Sequence, residues 1–553
     1  MKNSQVLSWI SRNTKKQRGA LFALTVANVL FSVLSVLFAL CMKTIIEGAE
    51  KSNYQKLIRG AIFLGVIIVL QFLFRIFING LSERVRAKIN WSLRSMLFSS
   101  ILKKKYEKIN GYHSGELLNR LTNDVPVVAS GVTNIVPVIV SAFARLISAV
   151  VALVVLDWIF AVAFSVAGIL VFLVISLMRN KLKILHKDIQ KTEGRSRSFM
   201  QECVENLLAV KVFSVNGKVN SKSDSLLKDN YNVTMKRRNR SVLGNATYNF
   251  IFSAGYFFAL VYGAVKIFRG VLDYGSLVAI LQLVNNVQVP FASLSSVVPE
   301  YYSMVASAER IMEILKVEEE DFVGEISRED TYLALKSIEF SNVCFSYENE
   351  KVLDNASLSI KKGDFVAITG SSGAGKTTIL KLLLGVYRPD EGEIYFDGAQ
   401  KKEINETTRP LFSYVPQGNM LFSGTLRDNV TFAFDGNEEE KINSALEISC
   451  ATEFVSELPD GLDTVVGEKG AGLSEGQVQR LALARAILSS APVLILDEST
   501  SALDEKTEEK VLSNLKNLTE KTLIIVSHKK APLSICNKKL EVVDGKIVSI
   551  ELN

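Results

Sequence analysis

Read as apolar against polar positions, the first three hundred residues are dominated by long uncharged runs. Gly19 to Met42 is the first, and Gly60 to Phe74, extended past Arg75 to Leu81, is the second. A third lies within Val132 to Leu156, interrupted by Arg145, and Trp158 to Met178 follows the single charge at Asp157. A fifth lies inside Ser241 to Val265, and Tyr274 to Pro299 supplies the sixth. A helix of about 20 apolar residues crosses the ~30 Å of bilayer hydrocarbon with every backbone polar group satisfied internally. The pattern predicts six membrane helices, which puts both chain ends on one side.

Two polar excursions separate these runs, Leu81 to Val132 and Arg179 to Arg240. They are too long for turns and poor in breakers, so helical continuations of the spans are expected, reaching tens of ångströms at ~1.5 Å per residue. Beyond the acidic run Glu318-Glu319-Glu320-Asp321 the pattern changes to short apolar strands alternating with helical stretches, the mark of an α/β domain. The boundaries read as a membrane domain over 1–315, an acidic linker over 316–337 and a soluble domain over 338–553.

Charge sharpens this division. The chain has 553 residues, 48% hydrophobic and 22% charged, at net +7. Residues 1–315 hold 38 basic against 17 acidic side chains, and residues 316–553 hold 26 against 40, so +21 faces −14. This argues for membrane attachment rather than a nucleic-acid partner. The first 18 residues carry Lys2, Arg12, Lys15, Lys16 and Arg18 without an acid; the first excursion holds nine basic against four acidic residues, the second fifteen against six. Lys51, Lys56 and Arg59 weaken the asymmetry without reversing it, so the positive-inside rule places both termini in the cytoplasm of a cell-membrane protein. The first apolar run lacks a small-residue cleavage site and exceeds a signal-peptide core, so it is read as a retained helix. Cys41, Cys203, Cys344, Cys450 and Cys536 are scattered and, with three His, form no metal-ligand spacing, as expected in a reducing compartment.

The soluble part carries phosphate chemistry. Phe365 to Thr369 reads as a buried strand and leads into Gly370-Ser371-Ser372-Gly373-Ala374-Gly375-Lys376-Thr377, followed by a helix from Thr378. This is a complete phosphate-binding loop: glycines let backbone amides approach phosphate oxygens, Lys376 reaches the β and γ phosphates, and Thr377 offers a hydroxyl to Mg²⁺. A second apolar strand, Val493 to Leu496, ends in Asp497-Glu498. Acids at a parallel strand's C-terminal end face the nucleotide crevice, so Asp497 is the expected Mg²⁺ partner and Glu498 the group that polarises the attacking water.

Leu473-Ser474-Glu475-Gly476-Gln477, followed by Gln479-Arg480 and an Ala/Leu-rich helix, carries a family resemblance. Residues 338–553 resemble the nucleotide-binding domain of ABC ATPases, and nearly the whole chain resembles an exporter-type half-transporter. The implied fold is an all-α polytopic membrane domain with long cytoplasmic extensions, joined to an α/β P-loop ATPase domain with a helical subdomain. Glu475 departs from the usual Gly of the signature. The resemblance implies that Ser474, Gly476 and Gln477 complete the ATP site of an opposite domain, that Tyr347 stacks on adenine, and that Gln417 touches Mg²⁺. It also implies that His528 contacts the γ-phosphate, that Val466 to Gly470 is an exporter-specific stretch, that Ser501 to Asp504 crosses between paired domains, and that Thr378 lies in the nucleotide site. Ser114 to Asp124 and Glu205 to Phe213 resemble two coupling segments.

The implied activity is ATP hydrolysis driving export of an amphipathic cargo, whether peptide, lipid or drug-like, by two copies of the chain, with ATP and Mg²⁺ as cofactors. An ATP-gated channel and one half of a heterodimer carry the same motifs. Soluble ABC ATPases lack the spans, and a processing exporter carries an N-terminal cysteine protease. Arg145 lies 12 residues before the turn at Asp157, or ~18 Å along a helix and so near mid-membrane, where it pairs with a structural partner or meets an acidic group on cargo. Asn285, Asn286, Gln288, Phe252, Tyr256 and Tyr262 are further candidates to line a cavity.

Overall fold

The computed structural model describes residues 3–321, 327–347, 350–418, 421–434, 436 and 438–552, with backbone alone at 169, 172, 174–180, 182, 183, 186, 187, 295 and 469. Residues 322–326 of the expected linker thus lie outside the described residues. Two units emerge, residues 1–102 with 113–316, and residues 103–112 with 317–553. The ten-residue stretch 103–112, expected in a cytoplasmic excursion of the membrane domain, therefore packs with the soluble unit.

In chain order the helices up to residue 316 are α1 Asn3–Asn13, α2 Arg18–Glu50, α3 Tyr54–Leu102, α4 Tyr106–Ile109 and α5 Ser114–Asn119. There follow α6 Val125–Leu156, α7 Trp158–Glu205, α8 Leu207–Val212, α9 Asn216–Phe268 and α10 Tyr274–Lys316. All but α4 belong to the first unit. Among the described residues, α2, α3, α5 with α6, α9 and α10 each hold an apolar window long enough to cross a bilayer, and α7 opens with the apolar stretch Trp158–Gly168. The longest, α3, α7 and α9, run 49, 48 and 53 residues. At ~1.5 Å per residue these exceed any hydrocarbon thickness, as the polar excursions predicted. The helix outruns the sixth apolar run: α10 continues through Pro290 and Pro299 to Lys316. Packed membrane helices tolerate proline where neighbouring groups meet the freed carbonyls.

The first unit's core is built on small residues that admit large ones. Val36, Ala39, Ala149, Phe160, Phe164, Ile280 and Leu283 are buried together. A Cβ at Gly131 would lie 2.7 Å from the sulfur of Met304, so glycine is what lets α6 and α10 approach. By contrast Phe63, Val66, Phe72, Leu73, Ile76 and Phe77 of α3 are exposed, the pattern of a helix solvated by lipid. A π-helical turn, Arg120–Asp124, joins α5 to α6. There the Asp124 carboxylate accepts from Arg310 Nε at 2.8 Å and from the Ser307 hydroxyl at 2.8 Å.

The second unit holds α11 Arg328–Leu333 and strands β1 Ser337–Tyr347, β2 Glu350–Lys361, β3 Phe365–Gly370, β4 Glu391–Asp397, β5 Lys402–Glu403 and β6 Phe412–Val415. Its later strands are β7 Gly424–Thr425, β8 Val465–Val466, β9 Val493–Asp497, β10 Thr522–Val526, β11 Lys538–Val543 and β12 Lys546–Glu551. Helix α12, Lys376–Leu383, follows β3. Helices α13 Leu426–Val430, α14 Glu439–Ile448, α15 Thr452–Glu457 and α16 Glu475–Leu488 form a helical insertion between β6 and β9, and α17 Glu505–Lys516 and α18 Lys530–Leu533 come after it. A six-stranded sheet runs β12-β11-β3-β10-β9-β6, and an antiparallel sheet runs β2-β1-β4-β5. β11, β3, β10, β9 and β6 are parallel neighbours. Every residue of β9 and β10 is buried, which is why both read as unbroken apolar runs.

Candidate active site

Strand order decides where the chemistry gathers. The neighbours β3, β10, β9 and β6 present their C-terminal ends side by side, and these ends carry Gly370, then His528 just past β10, then Asp497 and Glu498, then Gln417 just past β6. In an open parallel sheet this edge is the ligand crevice.

Between β3 and α12 the chain must turn sharply while keeping its amides outward. Gly373 and Gly375 adopt φ of +82° and +101°, which side-chain-bearing residues rarely reach. A Cβ at Gly375 would stand 2.8 Å from Val352 Cγ1, whereas one at Gly373 would meet nothing within 4 Å. The loop is thus packed on one flank and open on the other, a cradle suited to phosphate. The Ala374 N–H closes the turn onto the Ser371 carbonyl at 3.2 Å. Ser371, Ser372 and Thr377 are exposed and Thr378 is buried. Lys376 is buried, its Nζ donating to the carbonyls of Gly370 and Ser371 at 2.9 and 2.8 Å. An ammonium has three N–H bonds, so one remains for a phosphate oxygen.

Asp497 is 3% exposed and accepts from the Tyr414 hydroxyl at 3.1 Å. Burial holds its carboxyl above the usual carboxylate range, opposed by that hydrogen bond and by nearby Lys376. The same burial, with Asp497 alongside, pushes the Tyr414 phenol far up. Glu498 has φ of +48°, a left-handed conformation rarely adopted by a non-glycine residue. Its N–H donates to the Val526 carbonyl at 3.0 Å, and its Oε2 accepts from Gln417 Nε2 at 2.6 Å. His528 Nε2 stands 3.9 Å from its Oε1. Gln417, Glu498 and His528, far apart in sequence, are therefore one cluster. Thr377, Asp497 and Gln417 each offer the kind of hard oxygen that Mg²⁺ takes. Among the described residues no group of three or more His, Cys, Asp or Glu builds an all-protein cage.

The signature shapes the start of α16. Ser474 is its N-cap: the Ser474 N–H donates to the Gln477 side-chain oxygen at 2.8 Å, and the Gln477 N–H returns to the Ser474 hydroxyl at 3.3 Å. Gln477 thereby holds the turn. Glu475 is exposed in the first turn, where an acid complements the helix dipole. A Cβ at Gly476 would lie 3.0 Å from the Ala502 carbonyl oxygen. Among the described residues, no hydrogen bond of Ser474, Gly476 or Gln477 reaches the phosphate loop of the same chain. Tyr347 is half-buried and meets Phe345 and Tyr387 edge-on, with centroids 4.9 and 5.5 Å apart.

Two residues were missed from sequence. Tyr414 reaches Asp497 only because β6 pairs with β9. Gln479 donates to the Ser501 hydroxyl at 3.2 Å and accepts from the Ala502 N–H at 3.1 Å, tying the signature helix to the crossing loop. Its place directly after the signature was the available signal for it.

In the first unit, Arg145 Nη2 donates to the Ser35 hydroxyl at 3.2 Å, while its Nε is buried without a partner. Asn286 donates to the Ser35 carbonyl at 3.3 Å. Phe252 does not line a cavity: it is 3% exposed, with Tyr248 at 5.0 Å and Phe291 at 6.2 Å, because aromatics at helical spacing pack together here. Tyr262 stacks on Phe258 at 5.4 Å, and Tyr256 and Asn285 are exposed.

Comparison with known proteins gives the family and the fold. Residues 20–291 match the ABC transporter transmembrane region and residues 353–501 the ABC transporter domain. The chain is 31% identical to an ATP-dependent lipid A-core flippase of Haemophilus ducreyi, covering 97% of this chain and 92% of that protein. It is 29% identical to ABC transporter B family member 1 of Dictyostelium discoideum over 95% of this chain, spanning 58% of that protein's length. A bacterial Atm1-family ABC exporter solved with ATP bound shares the fold at a TM-score of 0.80 and 22% identity, covering 96% of this chain and 95% of that one. With a helical membrane region running into a nucleotide-binding ATPase domain, the chain belongs to the ABC transporters, as a multi-pass membrane exporter that couples ATP hydrolysis to transport.

Proposed function

We propose that two copies of the chain export an amphipathic cargo with an anionic head by alternating access, with the ATPase unit and both termini in the cytoplasm. The excess of basic residues in the N-terminal segment and the two long excursions supports that orientation. Among the described residues the signature makes no hydrogen bond to its own phosphate loop, and, Glu475 apart, its motif letters are intact, which supports completion of each ATP site by a second copy of the same chain.

In this reading the amides of residues 371–376 and the Lys376 ammonium orient the triphosphate, Tyr347 takes the adenine, and Ser474 and Gly476 of the other copy close over the γ-phosphate. Mg²⁺ would be held by Thr377, Asp497 and Gln417 and would supply neutralising charge at the β and γ phosphates. Glu498 accepts the proton of the attacking water, and Gln417 and His528 hold that carboxylate in place. ATP drives closure because both copies contact it only in the closed state, and differential affinity alone shifts such an equilibrium.

Arg145 carries the cargo assignment. The six apolar runs contain no Asp or Glu, and their only charges are Arg75 and Arg145. Arg75 is exposed on α3, whereas Arg145 touches a neutral hydroxyl. A second copy brings no acid in its own runs, having the same sequence. A charge at mid-span costs about 2.5–3.5 kcal/mol, so the countercharge comes from what is transported. The relatives named lipid A-core flippases carry a lipid, which suits an amphiphile. In lipid vesicles, Arg145→Ala should weaken ATPase stimulation by an anionic amphiphile about 10-fold or more while leaving the response to a neutral one. Undiminished stimulation by the anionic amphiphile would sink this assignment.

A further inference from the structure

The segment 103–112 continues α3 at Leu102 and re-enters the first unit at His113, yet it is seated in the second. Its first residues pair with the start of the linker: Lys104 bridges Glu319 in antiparallel fashion, the Lys105 N–H donates to the Glu318 carbonyl at 3.0 Å, and the Glu320 N–H donates to the Lys103 carbonyl at 2.8 Å. Lys104, with a side chain 1% exposed, pairs with Glu319 at 2.9 Å, and Lys105 with Glu318 at 2.5 Å. Glu320 in turn accepts from Arg409 at 2.8 Å, and Arg409 also donates to the carbonyls of Leu384 and Gly385, just after α12. The result is a fixed seat beside the phosphate-loop helix.

From that seat Tyr106 meets Tyr387 edge-on, with centroids 6.1 Å apart at 83°. Tyr387, 7% exposed, meets Tyr347 at 5.5 Å and 84° and Phe345 at 5.6 Å. Lys381 Nζ lies over both Tyr347 and Tyr387, at 5.7 and 5.5 Å. An aromatic ring held edge-on has a defined plane, and a base stacks on a defined plane without first having to order it. We propose that Tyr387 and Tyr106 are positioning residues for the nucleotide base: they fix the ring of Tyr347, so that purine binding and the seating of residues 103–112 stabilise each other. This rests on the reading that Tyr347 stacks on adenine. Because the coupling is reciprocal, a polyphosphate without a base tightens the seat less than ATP does.

The test uses the full chain in lipid nanodiscs, with equilibrium binding of a non-hydrolysable ATP analogue and of inorganic tripolyphosphate to the parent, Tyr106→Leu, Tyr106→Phe, Tyr347→Leu and Tyr106→Leu/Tyr347→Leu proteins. Expected is about a three- to ten-fold weakening of the ATP analogue in Tyr106→Leu, the size of one edge-on aromatic contact, with tripolyphosphate unchanged and Tyr106→Phe restoring the parent value. In the Tyr347→Leu background the Tyr106→Leu change should add nothing. Equal weakening of both ligands, or no weakening where Tyr347→Leu does weaken the analogue, overturns the positioning role alone. An unchanged affinity in Tyr347→Leu overturns the adenine reading and this proposal with it.

Discussion

In the ATPase unit the carboxylate of Glu498 sits between an amide donor at 2.6 Å and an imidazole at 3.9 Å, whereas in the membrane unit the guanidinium of Arg145 has a hydroxyl for its partner. The first charge is held by protein groups delivered from adjacent strand ends. The second lies in an apolar run, and none of the other apolar runs contains an acid. Several other charges of the membrane unit are paired, Asp157 with Lys266, Glu47 with Lys43 and Lys56, and Asp124 with Arg310. The contrast separates a charge met by its own chain's polar groups from one that, as proposed, a ligand would meet.

The harshest way to break that comparison is Glu498→Gln. It keeps the hydrogen-bonding shape but removes the base, so ATP turnover should fall about 10²- to 10⁴-fold while ATP still binds. Steady-state hydrolysis together with nucleotide binding measures both, and near-normal turnover would mean the cluster is not the catalytic one. The Arg145→Ala and Tyr106→Leu tests follow in size. A smaller effect is expected from Gln479→Leu, which strands the Ala502 N–H and the Ser501 hydroxyl. A lost buried hydrogen bond of this kind costs about 1–3 kcal/mol. If Gln479 couples the signature helix to the crossing loop, the ATP concentration for half-maximal hydrolysis should rise about 5-fold or more. An unchanged value removes that link.

The finest test is pH. In the proposed site Asp497 would bind Mg²⁺ only as a carboxylate, and burial raises its proton affinity, so ATPase activity at limiting Mg²⁺ should decline on acidification earlier than an ordinary aspartate would dictate. Tyr414→Phe removes a hydrogen bond that favours the charged form, so the acid limb should move to still higher pH. A limb that stays put or moves down would show that Tyr414 does not govern Asp497.

Much of the ATPase site was legible in the sequence because each motif falls where an apolar strand run stops, and a parallel sheet collects such stops in one crevice. Gly370 to Thr377, Asp497 and His528 all obey this rule. Tyr414 does not announce itself, since its bond to Asp497 depends on which strands are neighbours. Nor does the ring contact of Tyr106 with Tyr387, which joins parts of the chain far apart in sequence. In the membrane unit the apolar runs located the helices but not the length of α10, which passes Pro299, and an aromatic at helical spacing, Phe252, is core rather than lining. Periodicity names a face, and packing alone says what that face meets.

The absence of acids from the apolar runs has an electrical consequence. In the proposed pair without cargo each Arg145, like each Arg75, would hold a positive charge in an apolar run, and a membrane potential does work on any fixed charge that shifts along its gradient, about 2.3 kcal/mol per elementary charge per 100 mV. An anion bound at each Arg145 cancels that charge. The loaded transporter would then change conformation with less sensitivity to voltage than the empty one, so the potential itself would bias which form returns for the next cargo.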